Sequence, residues 1–163
     1  LSIRRQRQMC IRDSLYPYSL GSRISASEPL SLSVNITGVT VTGKDTVDTV
    51  TYEFQPDTQE YKALVSLLND YDYHRSFLTL LPLEDYTPDS NTTTFQLQST
   101  DSQYLLTDKG GFSAEPVSGG KSLVYAIGYL GSGKAEQLTA ELQALLKSCT
   151  PVETHDDTEM GTT

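Results

Sequence analysis

The densest run of chemically capable side chains is Asp70-Tyr71-Asp72-Tyr73-His74-Arg75. In an extended conformation Asp70, Asp72 and His74 would face one way. Two carboxylates and an imidazole so placed are a donor set for a divalent cation. A helical pattern ends at Asp70, however, and breaks the alternation there, while the only other histidine, His155, lies in the C-terminal stretch. The competing expectation is a solvated loop, with Tyr71 or Tyr73 packed beneath it and Arg75 pairing an acid. Tyr71, Asp72, Tyr73, His74 and Arg75, joined by Tyr86 from the following loop, make up the candidate ligand- or partner-binding surface.

Three other patterns name chemistries that the surrounding residues do not complete. Gly128 to Lys134 spells G-x-x-x-x-G-K, the outline of a phosphate-binding loop. That loop needs a Ser or Thr hydroxyl for magnesium at the next position, and here it is Ala135. A glycine turn with Ser132 capping the following helix accounts for the same letters. Nucleophilic catalysis needs a Ser, Thr or Cys held against a base, but Cys149 falls on an apolar helical stripe and no G-x-S-x-G occurs. Glu84, Asp85 and Asp89 share one loop and would suit paired-carboxylate hydrolysis, although a charged loop is ordinarily just solvated. No catalytic residue, metal or cofactor is therefore assigned, and the expectation is a protein that is not an enzyme.

The charge balance narrows the partners. Residues 4–13 read R-R-Q-R-Q-M-C-I-R-D, which matches the translation of a transposase-type sequencing-library adapter in one unbroken frame. Residues 1–14 are accordingly set aside from the fold, and the native start is expected elsewhere. Removing four Arg and one Asp takes the formal net charge from −9 to −12. Such an acidic chain repels phosphate backbones, so no nucleic-acid partner is expected. No apolar run approaches the roughly 18 residues of a membrane span. With Cys10 set aside, Cys149 has no partner for an intramolecular disulfide. That suits the cytosol and also exported proteins that avoid cysteine. The absence of Trp beside abundant Ser, Thr and Tyr leans toward an exported, β-rich domain.

The elements that would position these residues follow from periodicity. Leu30, Leu32, Val34 and Ile36 alternate, then the phase slips at Gly38, which predicts a bulge or bend. Val50, Tyr52 and Phe54 alternate after a turn, giving an antiparallel hairpin. Asp57 with Glu60 predicts a capped helix over 57–69, with Tyr61, Leu64, Val65 and Leu68 on one stripe. Short strands are expected in SFLTLLPL and TTTFQLQS, and a hairpin in YLLTDKGGFSA. SLVYAIGYL reads as a central strand, and a last helix places Leu138, Leu142, Leu145 and Cys149 together. The boundaries are a lead-in over 15–23, one domain over 24–149 and a disordered acidic tail over 150–163. Strands interrupted by one helix and closed by another predict an α+β fold. Its mainly antiparallel sheet would have about five to seven strands, with both helices packed on one face.

The succession of hairpin, FQPDTQEYKALVSLLNDYDYHR, strands and closing helix resembles small uncharacterised α+β domains of Gram-positive gut bacteria. The residues that carry the resemblance are Leu64, Leu67 and Leu68, followed by Tyr73 and Arg75, within residues 30–148. It implies no catalytic residues. The functional expectation is a non-catalytic, exported or envelope-associated binding domain for a protein or cell-envelope ligand. The alternatives are an intracellular immunity-type inhibitor of a basic partner and a metal- or carboxylate-dependent hydrolase.

Overall fold

Two apolar periodicities, two in the strands and 3.6 in the helices, each bury one face, and the faces meet in a single core. The computed structural model describes residues 20, 24, 28–39, 45–75, 92–108, 111–120, 122–128 and 134–156. The elements are β1 (Leu30–Val39), β2 (Asp45–Phe54), α1 (Gln59–Asn69), β3 (Tyr73–Arg75), β4 (Thr92–Gln98) and β5 (Ser102–Thr107). They continue with β6 (Phe112–Pro116), β7 (Leu123–Ile127), α2 (Lys134–Leu146) and β8 (Glu153–Asp156). The fold is α+β, with one eight-stranded sheet in the order β3-β7-β6-β5-β4-β1-β2-β8. Every strand pairing among the described residues is antiparallel.

Both helices lie on one face of this sheet. Leu64 and Leu68 of α1 and Leu138 and Leu142 of α2 meet Leu32, Phe95, Leu97, Tyr104, Leu106 and Phe112 around an interior void of about 20 Å³. Phe112 is the aromatic hub, with ring centroids 5.1 Å from Tyr73, 5.7 Å from Tyr125 and 6.4 Å from Tyr104. Such offset and tilted pairs add about 0.5–1.5 kcal/mol each beyond their buried area.

The strand and helix boundaries differ from the periodic expectation in instructive places. β1 runs through Gly38 without a bulge, pairing one for one with β2 from Leu30↔Phe54 to Val39↔Asp45. The apolar phase is lost because this end of the strand leaves the helical layer: Ile36, on the core side, is 47 % exposed. α1 is capped by Thr58 rather than Asp57, with the Tyr61 amide donating to Thr58 Oγ1 at 3.2 Å. Asp57 instead takes a left-handed turn at φ 72°, which Asp tolerates better than most residues.

β7 is paired on both sides but stands next to the edge of the sheet, not at its centre. It buries Tyr125 and Ile127 and exposes Ala126, so only one face of it is covered. Within the expected lead-in, Leu20 is fully buried. Within the expected tail, β8 pairs with Asp48–Thr51 of β2 and supplies the eighth strand. Its described side chains, Glu153 and Thr154, are exposed and bring nothing to the core. It forms because the open edge of β2 offers unpaired backbone groups. SFLTLLPL and the loop carrying Glu84, Asp85, Tyr86 and Asp89 lie outside the described residues.

The helix stripe gives a direct test. Leu64 is 0 % exposed and already borders the void, so Leu64→Ala enlarges a gap that the core does not close. The expected loss is about 2–5 kcal/mol by urea denaturation. A loss under about 1 kcal/mol would show that α1 does not bury this face.

Candidate functional site

The sheet face away from the helices carries Ser31, Ser33, Asn35, Thr49, Thr51, Thr94 and Gln96 by its register. Much of that polarity is spent internally. Thr49 Oγ1 donates to Asn35 Oδ1 at 2.8 Å, and the Ser33 and Thr51 hydroxyls lie 3.2 Å apart. Thr92, Thr94 and Thr107 on the same face are buried. Among the described residues this face is largely a self-paired polar surface; Glu53 and Glu153 lie on it near Thr51 at the β2–β8 edge, and the buried Thr92 hydroxyl has no hydrogen-bond partner.

Convergent charge is found instead at the seam between the layers. The Tyr73 hydroxyl donates to the Leu68 carbonyl at 2.9 Å, satisfying one of the open carbonyls at the end of α1. The chain then turns through Tyr71 and Asp72 into β3, and Tyr73 pairs opposite Ile127. One step further, the Gly128 amide donates to the Asp72 carbonyl at 2.9 Å. Gly128 has φ 71°, where a side chain would be strained. This pairing sets the end of α1 against the start of α2, and a cleft of about 450 Å³ lies between them. Asp70, Tyr71 and Asp72 form one wall, Gly128 the foot, and Lys134, Gln137 and Glu141 the other wall.

The α2 wall is a hydrogen-bonded train. Lys134 Nζ donates to Gln137 Oε1 at 2.9 Å, and Gln137 Nε2 donates to Glu141 Oε1 at 2.9 Å. The bond from Gln137, the approach of the Tyr71 hydroxyl and the charge of Lys134 together lower the pKa of Glu141. Tyr71 shows the reverse. Burial first, then Glu141 and Asp70, push its phenol up to about 12. Its hydroxyl is sealed from solvent yet has no hydrogen-bond partner. Its O–H approaches Glu141 closely enough to lower that carboxyl and raise the phenol as a weak hydrogen bond does, but without full bonding geometry, and its oxygen accepts no hydrogen bond. Tyr71, 7 % exposed, therefore presents an unmet hydroxyl at an acidic cleft.

The structure sorts the predicted site residues into three places. Tyr71 and Asp72 line the cleft, and Asp70 joins them. Tyr73, 0 % exposed, belongs to the core and is not part of a binding surface, because its ring packs on Phe112. His74 lies buried on the opposite face of β3, apart from the cleft, while Arg75 is exposed beyond it. The DYDYHR segment is thus a turn and an edge strand rather than a loop. Its alternation starts only at Tyr73, so Asp70, Asp72 and His74 do not share one side. Among the described residues no three His, Cys, Asp or Glu side chains are grouped to hold a metal ion. Tyr86 lies outside the described residues.

Gln137 and Glu141 were not singled out by the sequence, and Lys134 figures there only as the lysine of a phosphate-binding loop. Their spacing of three and then four places them on one helical face, which is the signal that would have found them. The lysine of the phosphate-loop outline is spent on Gln137. Cys149 is half-buried, and its thiol is pushed up by burial, with a bond from Ser148 opposing and Glu60 adding to the rise. A raised thiol pKa disfavours the nucleophilic thiolate. No helix among the described residues is long and apolar enough to cross a membrane. No known protein family, curated protein or solved structure matches the chain.

An unpartnered buried hydroxyl is a liability to the fold. Tyr71→Phe keeps the ring and is expected to raise stability by about 1 kcal/mol in urea denaturation. A loss of that size would mean that the hydroxyl has a structural partner. The raised phenols also fix an alkaline limit. Unfolded tyrosines ionise near 10.0, whereas Tyr71 holds its proton to about 12 and Tyr73 is raised as well, chiefly by burial. The contribution of these two phenols to stability is expected to be level below pH 10 and to fall above it, because the unfolded chain then releases protons that the folded chain retains. Tyr71→Phe should make that fall shallower.

Proposed function

We propose that this chain is a non-catalytic binding domain whose ligand or partner docks at the cleft between α1 and α2. The observation that carries the proposal is the unmet Tyr71 hydroxyl at the wall of an acidic cleft. A buried hydroxyl left without a partner costs the fold about 1–3 kcal/mol, and a ligand that meets it recovers that cost. The titration behaviour supports binding over proton transfer. Glu141 is lowered and Tyr71 raised, so each is pushed away from the neutral range in which a general acid or base works best.

An exported or envelope-associated setting accords with the Ser- and Thr-rich sheet face and with a single cysteine outside residues 1–14. Neither feature depends on the cleft. An intracellular inhibitor of a basic partner would use the same acidic wall.

The test is a titration of the isotopically labelled full chain with a panel of small probes, followed by amide chemical shifts. The panel holds n-butylammonium, methylguanidinium, acetate, inorganic phosphate and glucose. At least one probe should shift the amides of Tyr71, Asp72, Gly128 and Glu141 saturably and together. No saturable shift at those amides from any probe would overturn the assignment of the cleft.

A further inference from the structure

We infer that the cleft takes an alkylammonium group, and that Lys134 is the internal cation which that group displaces. The inference rests on the cleft being the binding site and adds the chemistry of what it binds.

The sign of the charge comes first. Among the described lining residues Asp70, Asp72 and Glu141 are acidic and Lys134 alone is basic, so a cation gains and an anion loses on entry. The cation is not a compact metal ion, because these carboxylates are not grouped to share one. It is a group whose donors radiate toward separate acceptors. An ammonium has three such donors. Tyr71 supplies a buried hydroxyl oxygen that accepts no hydrogen bond. Glu141 supplies the carboxylate oxygen not used by Gln137, and the exposed carboxylates of Asp70 and Asp72 supply the third acceptor.

The geometry also separates ammonium from guanidinium. A guanidinium is held best by a carboxylate that offers both oxygens side by side. Glu141 Oε1 already accepts from Gln137 Nε2, so a guanidinium fork would have to share that oxygen with Gln137, whereas an ammonium needs only the other one.

Lys134 is what the cleft holds in the absence of ligand. Its ammonium is bonded to Gln137 at 2.9 Å on the exposed side of α2 and acts on Glu141 through its charge. An incoming ammonium meets the same carboxylate and must compete with it. Removing Lys134 should therefore strengthen binding, which a merely structural lysine would not do.

The experiment measures n-butylammonium affinity by the same amide shifts in the full chain and three variants. Glu141→Gln should weaken binding about tenfold, and Tyr71→Phe several-fold or more, as expected for hydrogen bonds to a charged group. Lys134→Gln should tighten it about two- to fivefold, the scale of an exposed ion pair. Unchanged or weaker binding in Lys134→Gln overturns the displacement. Tighter binding of methylguanidinium than of n-butylammonium overturns the ammonium preference. Shifts at the cleft from acetate, phosphate or glucose but not from ammonium overturn this inference and leave the binding site standing. Silence from every probe overturns both. Comparing cadaverine with acetyl-Gly-Lys-Gly-amide then assigns the source. Tighter diamine binding points to a free amine and tighter peptide binding to a lysine side chain, and both outcomes uphold the ammonium assignment.

Discussion

The hydrogen bond from the Tyr73 hydroxyl to the Leu68 carbonyl fixes how α1 ends, and the seam of the molecule depends on that ending. A helix leaves its last carbonyls without partners, and a buried helix end must find donors for them. Here the donor is a side chain five residues along, on the first residue of an edge strand. Using it forces the chain to turn within Asp70–Asp72 and to enter β3 at once. With Tyr73 opposite Ile127, the Asp72 carbonyl can only meet the Gly128 amide, and Gly128 leads toward α2. One buried phenol thereby brings together segments more than fifty residues apart in the chain.

That placement explains why the cleft is polar although it adjoins the core. Tyr73 points inward onto Phe112, while its neighbours at 70 and 72 are exposed on the turn. Tyr71 is the intermediate case, with its ring buried and its hydroxyl stranded beside Glu141. Burial makes that phenol hard to ionise, and the phenol helps hold Glu141 ionised. The outcome is a fixed negative charge beside a neutral hydroxyl, an arrangement for holding a cation. On the other side of the core, the Ser33–Thr51 and Asn35–Thr49 pairs satisfy each other, and the unmet hydroxyl of that face, on Thr92, is fully buried and lines neither the cleft nor the core void.

The sequence made legible whatever depends on local periodicity. The stripe of Tyr61, Leu64 and Leu68, the alternation of Leu30, Leu32 and Val34, and the inward pair Phe95 and Leu97 are all found buried. So are Leu138 and Leu142, and the two helices cover one face of an antiparallel sheet as their single stripes require. Legibility failed where a nonlocal partner decides. The apolar content of β7 marks it as sheet but not as next to the edge, because β3 is only three residues long. The polar composition of Glu153–Asp156 hides a strand made by the open edge of β2. Half of the cleft was visible in DYDYHR. The other half, Lys134 to Glu141, looked like the solvated side of a helix, and only the β3–β7 pairing brings it opposite Tyr71.

The most direct measurement is amide hydrogen exchange at Gly128 in the wild-type chain and in Tyr73→Phe. If the Tyr73 hydroxyl fixes the turn, the Gly128 amide is protected in the wild type. It should exchange about tenfold faster or more once the hydroxyl is gone, the effect of losing about 1.4 kcal/mol of local stability. The amides of the central strands β1 and β4 should then change much less. Equal protection of Gly128 in both proteins would contradict the account, because the turn and its cleft would then stand without the bond said to hold them.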